Sequence, residues 1–103
     1  MLLLSINYVP GREIEALGMV KGTIVQSKNF GKDFMAGMKT LVGGEIKGYT
    51  EMLIEARQIA TKRMVDEAKA LGADAVINIM FGSSSVMAGA AEVIAYGTAV
   101  KFK

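Results

Sequence analysis

The runs Ala75 to Phe81 and Glu92 to Phe102 are apolar on both sides, and this limits the possible folds more than any other feature of the chain. Successive residues of an extended strand face opposite ways. Ala75, Ile77, Ile79 and Phe81 then share one side, and Val76, Asn78 and Met80 the other. In the second run Ile94, Tyr96, Val100 and Phe102 oppose Val93, Ala95, Gly97 and Ala99. An antiparallel sheet with a solvated side carries a polar row there. Neither run has one, so both faces of the sheet need cover.

The remaining segments can be assigned in turn. Leu2 to Val9 is apolar, partly β-branched and stopped by Pro10-Gly11, which predicts a first strand. Gly18 to Ser27 predicts a second, with Gly18 and Gly22 marking a bulge or a close backbone approach. Asn29 to Leu41 places Phe30, Phe34, Met38 and Leu41 on one helical face, and Gly43-Gly44 ends this short helix. Glu45 to Leu71 predicts a long helix with Thr50 as a cap near its start and Gly72 just past its end. Gly82 to Ala90 reads as a long hairpin loop.

The order is β-β-α-α-β-β, an α+β fold with a mainly antiparallel sheet and one long and one short helix on one face. A chain of 103 residues has room for one core, so residues 1–103 form a single domain. With the helices on one side, a neighbouring subunit is the expected cover for the other. The alternative is that the strands curl around their own core.

The chain has no cysteine and no histidine. That removes disulfides, thiolate cages, imidazole ligands and every Ser-His or Cys-His arrangement. No metal site and no cofactor is expected. Eight methionines remain as soft donors, and Met35 with Met38 could present two sulfurs on one helix side, although methionines more often fill cores and interfaces. Glu45, Glu51 and Glu55 would hold a hard cation only with converging oxygens. The net charge of +2 comes from scattered lysines, and the aromatic residues follow an apolar pattern, so nucleic acid is not an expected partner. The apolar amino end is too short to span a bilayer and carries no basic leader, which makes the cytoplasm the expected compartment.

One charged residue stands out. Counting about 100° per residue, Leu53, Ala56, Ala60, Met64, Ala68 and Leu71 form one stripe of the long helix, with Arg57 only about 40° from Leu53. A buried guanidinium needs a partner. Thr50 lies two turns back near the same angle with Tyr49 beside it, and Tyr96 and Thr98 could approach from the last strand, making a candidate pocket for a small anion. The competing reading is an ion pair between Arg57 and Glu67 or a carboxylate of another subunit. Gly43-Gly44 and Gly82-Ser83-Ser84-Ser85 match no phosphate-binding loop and read as turns.

Several runs also resemble one family. Val42-Gly43-Gly44-Glu45, Tyr49-Thr50-Glu51-Met52-Leu53, Glu55-Ala56-Arg57, Met64 with Glu67-Ala68, Leu71-Gly72-Ala73-Asp74-Ala75-Val76 and Ala95-Tyr96-Gly97-Thr98-Ala99-Val100, with Leu17 to Gly22, are similar to the YbjQ-like family over nearly the whole chain. The resemblance implies a dodecin-like subunit in a ring-shaped homopentamer with strand pairing between subunits. It implies no established activity, and the family's heavy-metal-binding label brings no ligand set that maps onto residues here. Many members carry an arginine-phenylalanine-aspartate run where this chain has Met80-Phe81-Gly82.

Three functions are therefore open. The first is an oligomeric binding protein with sites at subunit boundaries near Tyr49, Arg57 and Tyr96. The second is a scaffold without a ligand. The third, least favoured without histidine or cysteine, is an enzyme using Arg57, Glu51 and a tyrosine.

Overall fold

The structure is a computed structural model that describes residues 1–27 and 47–103. Its elements are β1 (Leu2–Leu3), β2 (Ile14–Ser27), α1 (Lys47–Ala70), β3 (Ala75–Met87) and β4 (Ala90–Phe102). One sheet contains all four strands in the order β1-β3-β4-β2. β4 is central and antiparallel to both β2 and β3, while β1 runs parallel to β3.

This corrects the expected architecture. Among the described residues there is one helix, the order is β-β-α-β-β and the sheet is mixed. The short helix expected from Asn29 to Leu41 lies outside the described residues. The first strand shrinks from Leu2–Val9 to two residues and pairs in parallel with β3. β2 already lies along one flank of β4, and the outer edge of β3 is where the amino-terminal segment can bury Leu4 and Val9. There they join Ala75, Ile77 and Val100, with Ile14 and Phe102 packed alongside. Hydrogen bonds hold the segment in place: Leu4 donates to Val76 O at 2.9 Å, Asn78 to Ile6 O at 2.9 Å and Ile79 to Leu4 O at 3.1 Å.

The helix buries a narrow stripe of residues four apart, Met52, Ala56, Ala60, Met64 and Ala68, against Val20, Val76, Val93, Ala95 and Ala99 of the sheet. Small side chains bring the backbones close. A Cβ on Gly22 would run into the Ala60 carbonyl oxygen and the Met64 nitrogen, so this position must be glycine for the helix to seat. Thr50 lies inside the first turns of α1 and does not cap it. The carboxyl end closes as expected at Gly72 (φ 78°), where Gly72 N donates to Lys69 O at 3.0 Å and Ala73 N to Ala68 O at 3.1 Å.

Two further expectations change. β3 and β4 continue through the serine run to a two-residue turn at Ala88-Gly89, so the long loop is a long hairpin arm. A bulge also interrupts β3: Ile77 pairs with Thr98 and Met80 with Tyr96, which leaves Asn78 and Ile79 opposite Gly97 alone. Asn78 has φ 53°, a conformation that asparagine tolerates better than most residues. After the bulge Phe81 faces the helix side with its partner Ala95, and Met80 faces the open side with Tyr96.

The open side of the sheet is thus only half uncovered. The amino-terminal segment covers one end, where Arg12 also lies 4.4 Å from the centre of the Phe102 ring. Beyond it Met19 (70% exposed), Val25 (58%), Met80 (55%) and Tyr96 (38%) face solvent. The described residues form an elongated body, 55 × 25 × 17 Å, with a radius of gyration of 17.0 Å. A compact domain of this length has about 13 Å.

Candidate functional site

Arg57 follows the buried Ala56 by one residue, and that single step of about 100° turns it off the stripe. It is exposed rather than buried. With Ile54, Gln58 and Thr61 of α1 and Phe81 of β3 it lines a groove of about 440 Å³. Ile54 (44% exposed) and Phe81 (50%) supply the apolar walls. The Thr61 hydroxyl is turned back to the helix, donating to the Arg57 carbonyl oxygen at 2.8 Å. Among the described residues the one ion pair is Lys62–Asp66, so the Arg57 guanidinium remains available at the groove. Glu67, the carboxylate expected to pair with it, instead accepts from the Lys21 N–H at 3.3 Å.

The other expected site residues fall in two places. Tyr49 and Thr50 are half-buried in the first turn of α1, about two turns before Arg57. Tyr96 and Thr98 lie on the opposite side of the sheet: Ala95 and Ala99 face the helix, while Tyr96 is registered with Lys21 and Met80, and Thr98 with Met19 and Ile77. One subunit therefore does not bring Arg57 together with Tyr96. The groove residues Ile54 and Phe81 were missed because Phe81 reaches that side only through the bulge at Asn78.

A second hollow of about 280 Å³ is lined by Gln26, Ser27, Glu51, Met52 and Glu55. Gln26 Oε1 is buried there without a hydrogen-bond partner among the described residues. This hollow takes Glu51 away from Arg57, and the pair expected to serve an enzyme does not share one groove. Glu45 lies outside the described residues.

A soft metal finds little to bind. With no cysteine or histidine in the chain, thioethers are the soft donors left. Met52 and Met64 are spent in the core, while Met19, Met80 and Met87 stand exposed on separate strands or strand ends. The Met35–Met38 pair lies outside the described residues. Among the described residues no group of three or more histidine, cysteine, aspartate or glutamate side chains could hold an ion. The described residues do not fit a heavy-metal centre. Calorimetric titration with zinc, cadmium or mercury is expected to give no stoichiometric, submicromolar isotherm, and such an isotherm would reveal a site assembled from other donors.

Comparison with known proteins places these observations in a family. Residues 1–103 match the YbjQ family model, described as "Putative heavy-metal-binding". The chain is 63% identical over 101 residues to a UPF0145 protein of Clostridium novyi, covering 98% of each. It is 62% identical over 104 residues to a UPF0145 protein of Fervidobacterium nodosum, covering 100% of this chain and 96% of that one. A solved structure of a DUF74-family protein of unknown function from Pediococcus pentosaceus superimposes with a TM-score of 0.65 at 16% identity, over 100% of this chain and 98% of the other, a likeness of fold. Among the described residues no helix is long and apolar enough to cross a membrane.

Proposed function

We propose that this chain, which belongs to the YbjQ family of UPF0145 proteins, is the subunit of a cytoplasmic homo-oligomer that binds a small anion at its subunit boundaries. The observation that carries the reading is the uncovered half of the open sheet face, where Met80 and Tyr96 are exposed as a cross-strand pair and Met19 and Val25 are exposed on β2 to either side of Lys21 and Thr23. Large apolar side chains exposed together on one sheet face of a small domain mark an interaction surface. The elongated shape supports the same reading, since an extended subunit leaves much of its apolar surface for neighbours to bury. The number of subunits, five, follows from the family resemblance alone.

The anion part rests on Arg57. Its guanidinium lies at an apolar groove without an ion-pair partner among the described residues, and Tyr96 and Thr98 of a neighbouring subunit could close that groove. A scaffold ring without a ligand is the competing reading. Light scattering on a sizing column should show a defined oligomer at micromolar concentration; a monomer would end the assembly reading. Phosphate should raise the melting temperature of that oligomer and leave Arg57→Ala unaffected. An equal response of both proteins would remove the anion and leave the scaffold.

A further inference from the structure

β2 is an edge strand among the described residues, and at 14 residues it is a long one. A bare edge offers a row of N–H and C=O groups to any other extended chain. In the middle of this edge two of those groups are already occupied. The Lys21 N–H donates to Glu67 Oε1 at 3.3 Å, and Arg63 Nη1 donates to the Thr23 carbonyl oxygen at 2.7 Å. Lys21 and Thr23 are two residues apart, so both direct their backbone groups away from β4.

The match is geometric. Residues four apart on a helix are separated by about 6 Å along its axis, and residues two apart on a strand by about 6.7 Å. Arg63 and Glu67 thus form a pair with the spacing of the two backbone sites they meet, and Gly22 between those sites lets the helix come close enough for them to reach. The neighbouring pair Lys62–Asp66, with the same spacing, bonds to itself in solvent. Charge on the helix surface alone does not explain where Arg63 and Glu67 go.

We propose that Arg63 and Glu67 are a guard that closes the centre of the β2 edge to strand addition by further copies of the chain. An incoming strand would have to displace a charge-assisted hydrogen bond and a carboxylate before it could pair with Lys21 and Thr23. The inference stands apart from the assembly proposed above, because it concerns growth beyond any defined oligomer.

The test compares full-length wild type, Arg63→Ala/Glu67→Ala and Lys62→Ala/Asp66→Ala. Removing the guard should make species larger than the wild-type oligomer grow on the order of tenfold faster by light scattering, with cross-β dye binding, while the Lys62/Asp66 variant behaves as wild type. Amide exchange distinguishes edge opening from general loosening: Lys21 should exchange faster in the guardless variant while the central strand β4 keeps its protection. Wild-type growth and wild-type Lys21 exchange in a folded guardless variant would overturn the proposal. So would equal growth of the Lys62/Asp66 variant. If the double variant does not fold by circular dichroism, Glu67→Ala alone, which frees the Lys21 N–H, takes its place and the same results decide.

Discussion

Gly22→Ala is expected to lower the stability of the folded subunit by about 3 kcal/mol or more, although alanine normally suits a strand better than glycine. The new methyl group would point straight at the backbone of α1 between Ala60 and Met64, with Arg63 Cβ also within 2.8 Å. Backbone cannot rotate out of the way as a side chain can. The helix must lift, and the buried stripe from Met52 to Ala68 lifts with it. For a domain of this size the loss corresponds to a fall of roughly 12–24 °C in melting temperature. Gly82→Ala supplies the contrast, because its methyl group would meet only the Ile94 Cγ2 atom at 3.1 Å, the end of a side chain that can yield. Urea titration of both variants checks the pair of expectations, and a Gly22→Ala protein as stable as wild type would show that the close approach is not required.

Met64→Ala is expected to cost about 2–5 kcal/mol, the range for emptying a fully buried site of this size. Met64 has no exposed surface and is the largest such side chain in the core. Its neighbours along the stripe are alanines, which have nothing to extend into the space left behind. Met19→Ala removes the same side chain from a position that is 70% exposed, and subunit stability should then change by no more than about 0.5 kcal/mol. The proposed assembly makes Met19 informative in another way, since a substitution there should weaken the oligomer while sparing the fold. Unfolding titrations read the first effect and light scattering the second.

Much of the helix side of this molecule could be read in advance. The steps of four through Ala56, Ala60, Met64 and Ala68 marked the buried stripe, Gly72 marked its end, and both anticipated uses of glycine in β2 occur: Gly18 sits at a register shift and Gly22 beneath the helix. Arg57 was misjudged because Leu53 was counted into the centre of the stripe. The structure centres it on Met52 and Ala56, which leaves Leu53 partly buried and Arg57 outside.

The pairing of β1 could not be read, because a short apolar run says that it will be buried but not along which edge. The amino-terminal segment was likewise not foreseen as cover for the open face, since it does so largely outside regular strand. The available side chains of the candidate site were visible as residue types. Their division between two sides of a sheet depends on strand register, which one residue can change.

The extra residue in β3 shows how far that dependence reaches. Regular alternation from Ala75 onward would put Phe81 on the same side as Ile77; the left-handed turn of backbone at Asn78 inverts the count from there to Ser85, where a second register shift follows. The sidedness of everything beyond is thus a matter of parity and not of composition. An arm of unchanged sequence would exchange its two surfaces, with Phe81 leaving the groove of Arg57 and Met80 leaving the side of Tyr96, if that one peptide unit relaxed to ordinary extended geometry with regular pairing. Asn78 therefore assigns both surfaces of the arm while its own side chain remains exposed.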